Sequence, residues 1–167
     1  MTTFEWFYKK RDVIYPLIAE EVDRKYRKMT KTVPPMDECF RTIIQTTGVC
    51  YHASLDGRQP FREAIAECLN QPGITEQVIE IELICCQAVF LSNIRVGDNI
   101  ACNQALRENV FMMAVCMDMR IPLFLIGKPG SSKSLAKTIV TNNMQGQASH
   151  APLYQNLKQV ISLLIFN

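Results

Sequence analysis

The chain has 167 residues, 48% of them hydrophobic and 20% charged, with a net charge of +2. That composition excludes a disordered chain and allows one domain, or somewhat more, around a real core. The longest apolar stretches, residues 160–166 and 121–126, are far too short to span a bilayer, and residues 1–6 lack the basic patch and apolar core of a signal peptide, so a cytoplasmic protein with no transmembrane segment is expected.

Residues 4–27 carry Phe4, Phe7, Tyr8, Ile14, Leu17, Ile18, Val22 and Tyr26 at three- and four-residue spacing, which predicts a helix. Pro16 is expected to kink it or split it in two. Pro34 and Pro35 mark a break. A second helix is predicted over 36–47, with Met36, Phe40, Ile43 and Ile44 on its apolar face and Gly48 closing it. Residues 48–59 are turn-rich and include Asp56 and Gly57. Pro60 then suits a first helical position, and a short helix continues over 61–69 until Asn70, Gln71, Pro72 and Gly73 end it. Residues 74–92 predict a broad apolar helix carrying Val78, Ile81, Leu83, Ile84, Val89 and Phe90. After a loop around 95–98 comes the longest regular helix, over 99–118, with Leu106, Val110, Met113 and Met117 on one stripe. Methionines at that spacing read as core filler.

The pattern then changes. Residues 121–126 read Ile-Pro-Leu-Phe-Leu-Ile, residues 127–134 read Gly-Lys-Pro-Gly-Ser-Ser-Lys-Ser, and 135–140 look helical. Ser149 or His150 is expected to cap a short helix near 152–158, and 160–166 predicts a second buried strand. Strand, loop, helix and strand make one βαβ unit, which should be parallel and right-handed. The expected fold class is therefore α/β: a helical segment over residues 1–118, then an incomplete nucleotide-binding core over 119–167.

Residues 127–134 stand where a phosphate-binding loop belongs, between an apolar run and a helix. In such a loop the backbone N–H groups of a tight turn converge on an anion, and the following helix aims its positive dipole end at the same place. The usual pattern is G-x-x-x-x-G-K-[ST]. Gly127, Lys133 and Ser134 match it, and Ser132 stands where a second glycine is expected. Gly130 can supply conformational freedom two residues earlier, with Pro129 stiffening the turn. The candidate cofactor-binding residues are therefore Gly127, Lys128, Pro129, Gly130, Ser131, Ser132, Lys133 and Ser134. A phosphate-bearing ligand is expected, with Lys133 reaching the terminal phosphates and Ser134 offering its hydroxyl to magnesium.

Charge supports an anionic ligand on this side of the chain. Residues 1–118 hold 13 basic and 16 acidic groups, a balance of −3, whereas 119–167 hold Arg120, Lys128, Lys133, Lys137 and Lys158 and no acid, a balance of +5. Those five cations are too few and too dispersed for nucleic acid. The missing acids also bear on mechanism, because P-loop hydrolases need an acidic residue on a later strand to hold magnesium through water. No catalytic residue is assigned. Asp98 precedes the loop without a convincing apolar run, and His52 and His150 read as ordinary surface residues. The seven cysteines (Cys39, Cys50, Cys68, Cys85, Cys86, Cys102, Cys116) show no C-x-x-C pair and read as small buried hydrophobes in a reducing compartment.

The segments 105–113, 120–140 and 144–147, including the serine form of the loop, closely resemble the mysterin family of giant AAA+ ATPases and RING-type E3 ubiquitin ligases. The likeness is specific over about residues 100–160 and looser upstream, and the sequence from about Ile161 departs from it. The resemblance implies that residues 127–134 are the Walker A loop of an AAA+ module, that Ser132 is a family trait, and that other AAA+ modules or ubiquitin machinery are partners in a parent protein. The family's Walker B strand, sensors, arginine finger and RING have no counterpart in these 167 residues, and an apolar strand at the very end suggests a fragment of a longer protein. The expected function is ATP binding without hydrolysis by this chain alone. The alternatives are a helical protein-interaction module with a vestigial loop and, less compatible with the acid-free tail, a small P-loop kinase.

Overall fold

The computed structural model describes residues 1–52, 57–94, 96–97 and 99–159. Among these residues every regular element is helical. Seven α-helices follow in order, α1 (Thr3–Lys28), α2 (Glu38–Thr47), α3 (Arg58–Leu69), α4 (Glu76–Ser92), α5 (Gln104–Met119), α6 (Lys133–Asn143) and α7 (Pro152–Gln155), with a π-helical turn at Gly48–His52 and a 3-10 turn at Gly146–Ala148. The chain divides into two compact units, Met1–Val89 and Phe90–Asn167.

The first unit is built on α1, which starts with a reciprocal capping box. Thr2 accepts from the Glu5 amide, and the Glu5 carboxylate accepts from the Thr2 amide at 2.8 Å. The helix passes through Pro16 as one element, so the proline does not split it in two. Trp6, Phe7, Ile14, Tyr15, Ile18, Val22 and Tyr26 are buried on both sides of the proline, and that continuous packing outweighs the lost backbone hydrogen bond. The α2 helix begins at Asp37, whose carboxylate caps the Cys39 amide. Gly48 does not close it: with φ −59° and ψ −45° the chain winds on into the π-helical turn. A Cβ on Gly48 would lie 2.2 Å from Leu83 Cδ2, so any larger residue here would push the Leu83 side chain of α4 aside. Asn70, left-handed at φ 44°, ends α3. Ile44, Ile74, Val78, Ile79 and Leu83 form a buried cluster flanked by Met36, Ile65, Ala66 and Leu69.

The unit also buries charge. Arg41 of α2 grips Glu82 of α4 through two bonds, Nε to Oε2 and Nη2 to Oε1, each 2.9 Å, and Gln45 Nε2 donates to the Glu82 carbonyl at 3.1 Å. The Tyr15 hydroxyl shares a short hydrogen bond with Thr42 Oγ1, and burial pushes the Tyr15 phenol up to about 12. Burial likewise raises the Tyr154 phenol, in the second unit, and the Cys86 thiol. His52 is buried rather than at the surface, with Nε2 3.3 Å from Arg62 Nη1, while His150 is exposed. Of the cysteines, Cys85, Cys86 and Cys116 are buried as expected; Cys39, Cys50, Cys68 and Cys102 are exposed, and none of the seven forms a disulfide.

In the second unit α5 packs against α6. Asn103 caps α5 by accepting from the Leu106 amide at 2.8 Å, so the helix starts several residues later than its periodicity suggested. Leu106, Val110 and Met113 are buried core residues. Phe90 meets Phe111 and Tyr154 edge to face, with ring centroids 5.2 and 6.4 Å apart, and the Tyr154 hydroxyl donates to the Phe90 carbonyl at 2.8 Å. Asp118, almost fully buried, accepts from the Lys158 amide. Neither Ser149 nor His150 caps α7; Ala151 holds that position, and Ser149 Oγ accepts from the Ala151 amide.

The α/β expectation is overturned. Residues 121–126 form no strand, and no strand occurs among the described residues, so no βαβ unit is present there. After α5 ends at Arg120 in the left-handed conformation, the apolar run lies open, with Ile121, Phe124 and Ile126 at 43%, 78% and 95% exposure. A strand exists only where a neighbour completes its hydrogen-bond ladder, and β-propensity without a partner fixes nothing. The second expected strand, 160–166, lies outside the described residues, as do Asp56, Arg95 and Asp98.

Candidate functional site

The loop that carries the phosphate-binding pattern joins the open run 121–126 to α6. Its turn is made by Lys128, Pro129, Gly130 and Ser131, closed by the Ser131 amide donating to the Lys128 carbonyl at 3.3 Å. Gly130 has φ +80°, the left-handed conformation glycine adopts without a Cβ penalty, and open space surrounds it. Ser132 is also left-handed, at φ 60°, a conformation that costs an L-residue with a Cβ about 1–2 kcal/mol. The place of the pattern's second glycine is thus taken here by a serine in the left-handed conformation. Gly127 faces the turn from the other side: a Cβ there would meet Ser131 Oγ at 3.1 Å.

Lys133, the first residue of α6, folds back over the loop. Its Nζ donates to the Gly127 carbonyl at 2.8 Å, to the Lys128 carbonyl at 3.1 Å and to Ser131 Oγ at 3.0 Å. All three ammonium hydrogens are directed to oxygens of the loop, so the cation sits at its centre. The neighbouring Ser134 is exposed. Ser132 precedes α6 but makes no side-chain cap bond. The first-turn N–H groups of a helix have no intrahelical acceptor, and Lys133 opens α6 at the positive end of its dipole. This suits an anion: uncapped donors, a lysine beside them, and glycines where a side chain would intrude.

The structure thus brings Gly127, Lys128, Ser131 and Lys133 together through hydrogen bonds, and sets Pro129, Gly130, Ser132 and Ser134 along the same turn. One neighbour that periodicity did not single out joins them. Asn109, on α5, donates from Nδ2 to the Ser131 carbonyl at 2.8 Å. It lies 22 residues upstream, and only the packing of α5 on α6 brings it here.

Residues 99–166, which include this glycine-rich turn and α6, match the family model described as "RNF213 AAA domain", so the segment is of the AAA class. The chain is 43% identical over 155 residues to E3 ubiquitin-protein ligase rnf213-beta of Danio rerio, covering 93% of this chain. It is 42% identical over 159 residues to E3 ubiquitin-protein ligase RNF213 of Mus musculus and 40% identical over 157 residues to that of Homo sapiens, each covering 94% of this chain. It belongs to the RNF213, or mysterin, family. The likeness extends over nearly the whole chain, well upstream of residue 100, and the family match runs past Ile161 to residue 166. The chain spans about 3% of the length of these curated relatives. No helix among the described residues is long and apolar enough to cross a membrane.

Proposed function

We propose that this chain is the ATP-binding portion of an AAA-type domain and holds the nucleotide phosphates in the loop formed by Gly127, Lys128, Pro129, Gly130, Ser131, Ser132, Lys133 and Ser134. The observation that carries the reading is the conjunction of an uncapped α6 start with the Lys133 ammonium held over the turn. In this reading the loop carbonyls keep Lys133 in place until phosphate oxygens compete for it, the first-turn amides of α6 receive the anion, and the exposed Ser134 hydroxyl serves magnesium. Magnesium would supply charge neutralisation between phosphates. Residues 1–118 precede this nucleotide-binding part.

The chain binds without turnover in this reading, because no Asp or Glu follows Asp118 in the sequence, and an acid beyond the loop is what positions magnesium and the attacking water in P-loop hydrolases. Ubiquitin-ligase activity belongs to the names of the relatives; the partners proposed for this chain are other AAA modules of a longer protein.

Equilibrium binding of a fluorescent ATP analogue to the whole chain tests the proposal. Charge-assisted hydrogen bonds contribute about 1.5–3 kcal/mol each, so Lys133→Ala should weaken binding at least about tenfold, and chelating magnesium should weaken it in the wild type. Binding of equal strength by wild type and Lys133→Ala sinks the nucleotide assignment and favours a helical interaction module with a vestigial loop.

A further inference from the structure

We infer that Asn109 is a positioning residue for the phosphate loop: by holding the Ser131 carbonyl from α5 it sets the direction in which the Ser132 amide faces a bound phosphate. The inference rests on the nucleotide reading above and deepens it. The peptide joining Ser131 to Ser132 is planar and trans, so its carbonyl and its N–H point in opposite directions. Asn109 Nδ2 donates to that carbonyl at 2.8 Å. The Ser132 N–H is thereby turned away from Asn109, and it cannot rotate without breaking the bond. Ser131 is fixed at two other points as well, its amide donating to the Lys128 carbonyl and its hydroxyl accepting from Lys133 Nζ.

This tether falls beside the one residue of the turn whose backbone conformation is costly. Ser132 keeps φ 60° with a side chain present, and a lone serine would relax toward the right-handed region. A net hydrogen bond between neutral groups is comparable in size to that strain. Asn109 can act as a fixed point because α5 is itself anchored, capped by Asn103 and flanked by the buried Leu106 and Val110. A glycine-free position in the loop is thus held in shape from outside it.

The rival explanation is that Asn109 merely ties α5 to α6. Asn109→Leu, which keeps the shape and removes the donor, separates the two in the whole chain. Three quantities are read: affinity for the magnesium complex of a fluorescent ATP analogue, melting temperature, and hydrogen exchange at the amides of residues 130–134 against those in the middle of α5 and α6. Positioning predicts an affinity loss of about tenfold, faster exchange confined to the loop, and little change in melting. Unchanged affinity and unchanged loop exchange, with Lys133→Ala still losing nucleotide, overturn the positioning role and leave the nucleotide reading standing. A lowered melting temperature with faster exchange throughout α5 and α6 makes the bond a structural tie and also overturns it. Should Lys133→Ala bind as tightly as wild type, the nucleotide reading fails and the positioning role goes with it. If Asn109→Leu folds poorly, Asn109→Ala, which removes the donor without adding bulk, is read in the same way.

Discussion

The polar groups of the first unit and those of the loop at residues 127–134 are treated in opposite ways. Between α2 and α4, Arg41 and Glu82 are buried and matched bond for bond, with Gln45 completing the set. At the start of α6, Lys133 is bound among the described residues by two backbone carbonyls and a hydroxyl, and no side chain caps the helix, although Thr2, Asp37 and Asn103 cap α1, α2 and α5. Arg41 is paired with a counter-charge, whereas among the described residues the hydrogen-bond partners of Lys133 are neutral oxygens. The difference separates a cation used to hold the fold from one left available to a ligand.

Substitutions should therefore divide by region. The largest effect on stability is expected from Glu82→Ala, which strands the buried Arg41 guanidinium; breaking such a pair costs about 3–5 kcal/mol, and chemical denaturation should show it, while Lys133→Ala leaves the denaturation midpoint close to wild type. A large loss of stability in Lys133→Ala would erase the contrast. Gly48→Ala comes next, because its Cβ would meet Leu83 at 2.2 Å; overpacking of this kind costs about 1–3 kcal/mol, again as a shifted midpoint. Asn103→Ala removes the α5 cap and should cost about 1 kcal/mol. Ser132→Gly should change stability in the other direction, by about 1 kcal/mol or less, as relief of the left-handed strain is partly offset by the freer unfolded chain.

A pH titration sharpens the same comparison. The Tyr15 phenol in the first unit is raised to about 12 by burial, above its ordinary value near 10. The folded state holds that proton more tightly than the unfolded state, so the stabilisation is complete below about pH 10 and is lost as pH rises toward 12. Melting temperature should fall across that window, and Tyr15→Phe should make the fall shallower.

How much of this was legible in the sequence depended on how local each feature is. The long helices follow from periodicity within a single window, as with α1 and α4, and the loop follows from the spacing of Gly127, Lys133 and Ser134. The strand expected at 121–126 was misread because a short apolar run resembles a buried strand whether or not another strand lies beside it. The burial of His52 and the passage of α1 through Pro16 depend on tertiary neighbours that no window contains. Asn109 gave no signal either: an asparagine in mid-helix is unremarkable until packing brings α6 to it. The left-handed Ser132 is an intermediate case, since the departure from glycine was visible and the backbone conformation that persists there was not.

The central claim is that phosphates bind at the start of α6, and the most direct measurement is an amide chemical-shift titration of the whole chain with magnesium and ATP. The account predicts saturable shifts that are largest at Gly130, Ser131, Ser132, Lys133 and Ser134 and negligible in α1 and α2. Shifts that leave those five amides unmoved at saturating nucleotide would contradict it.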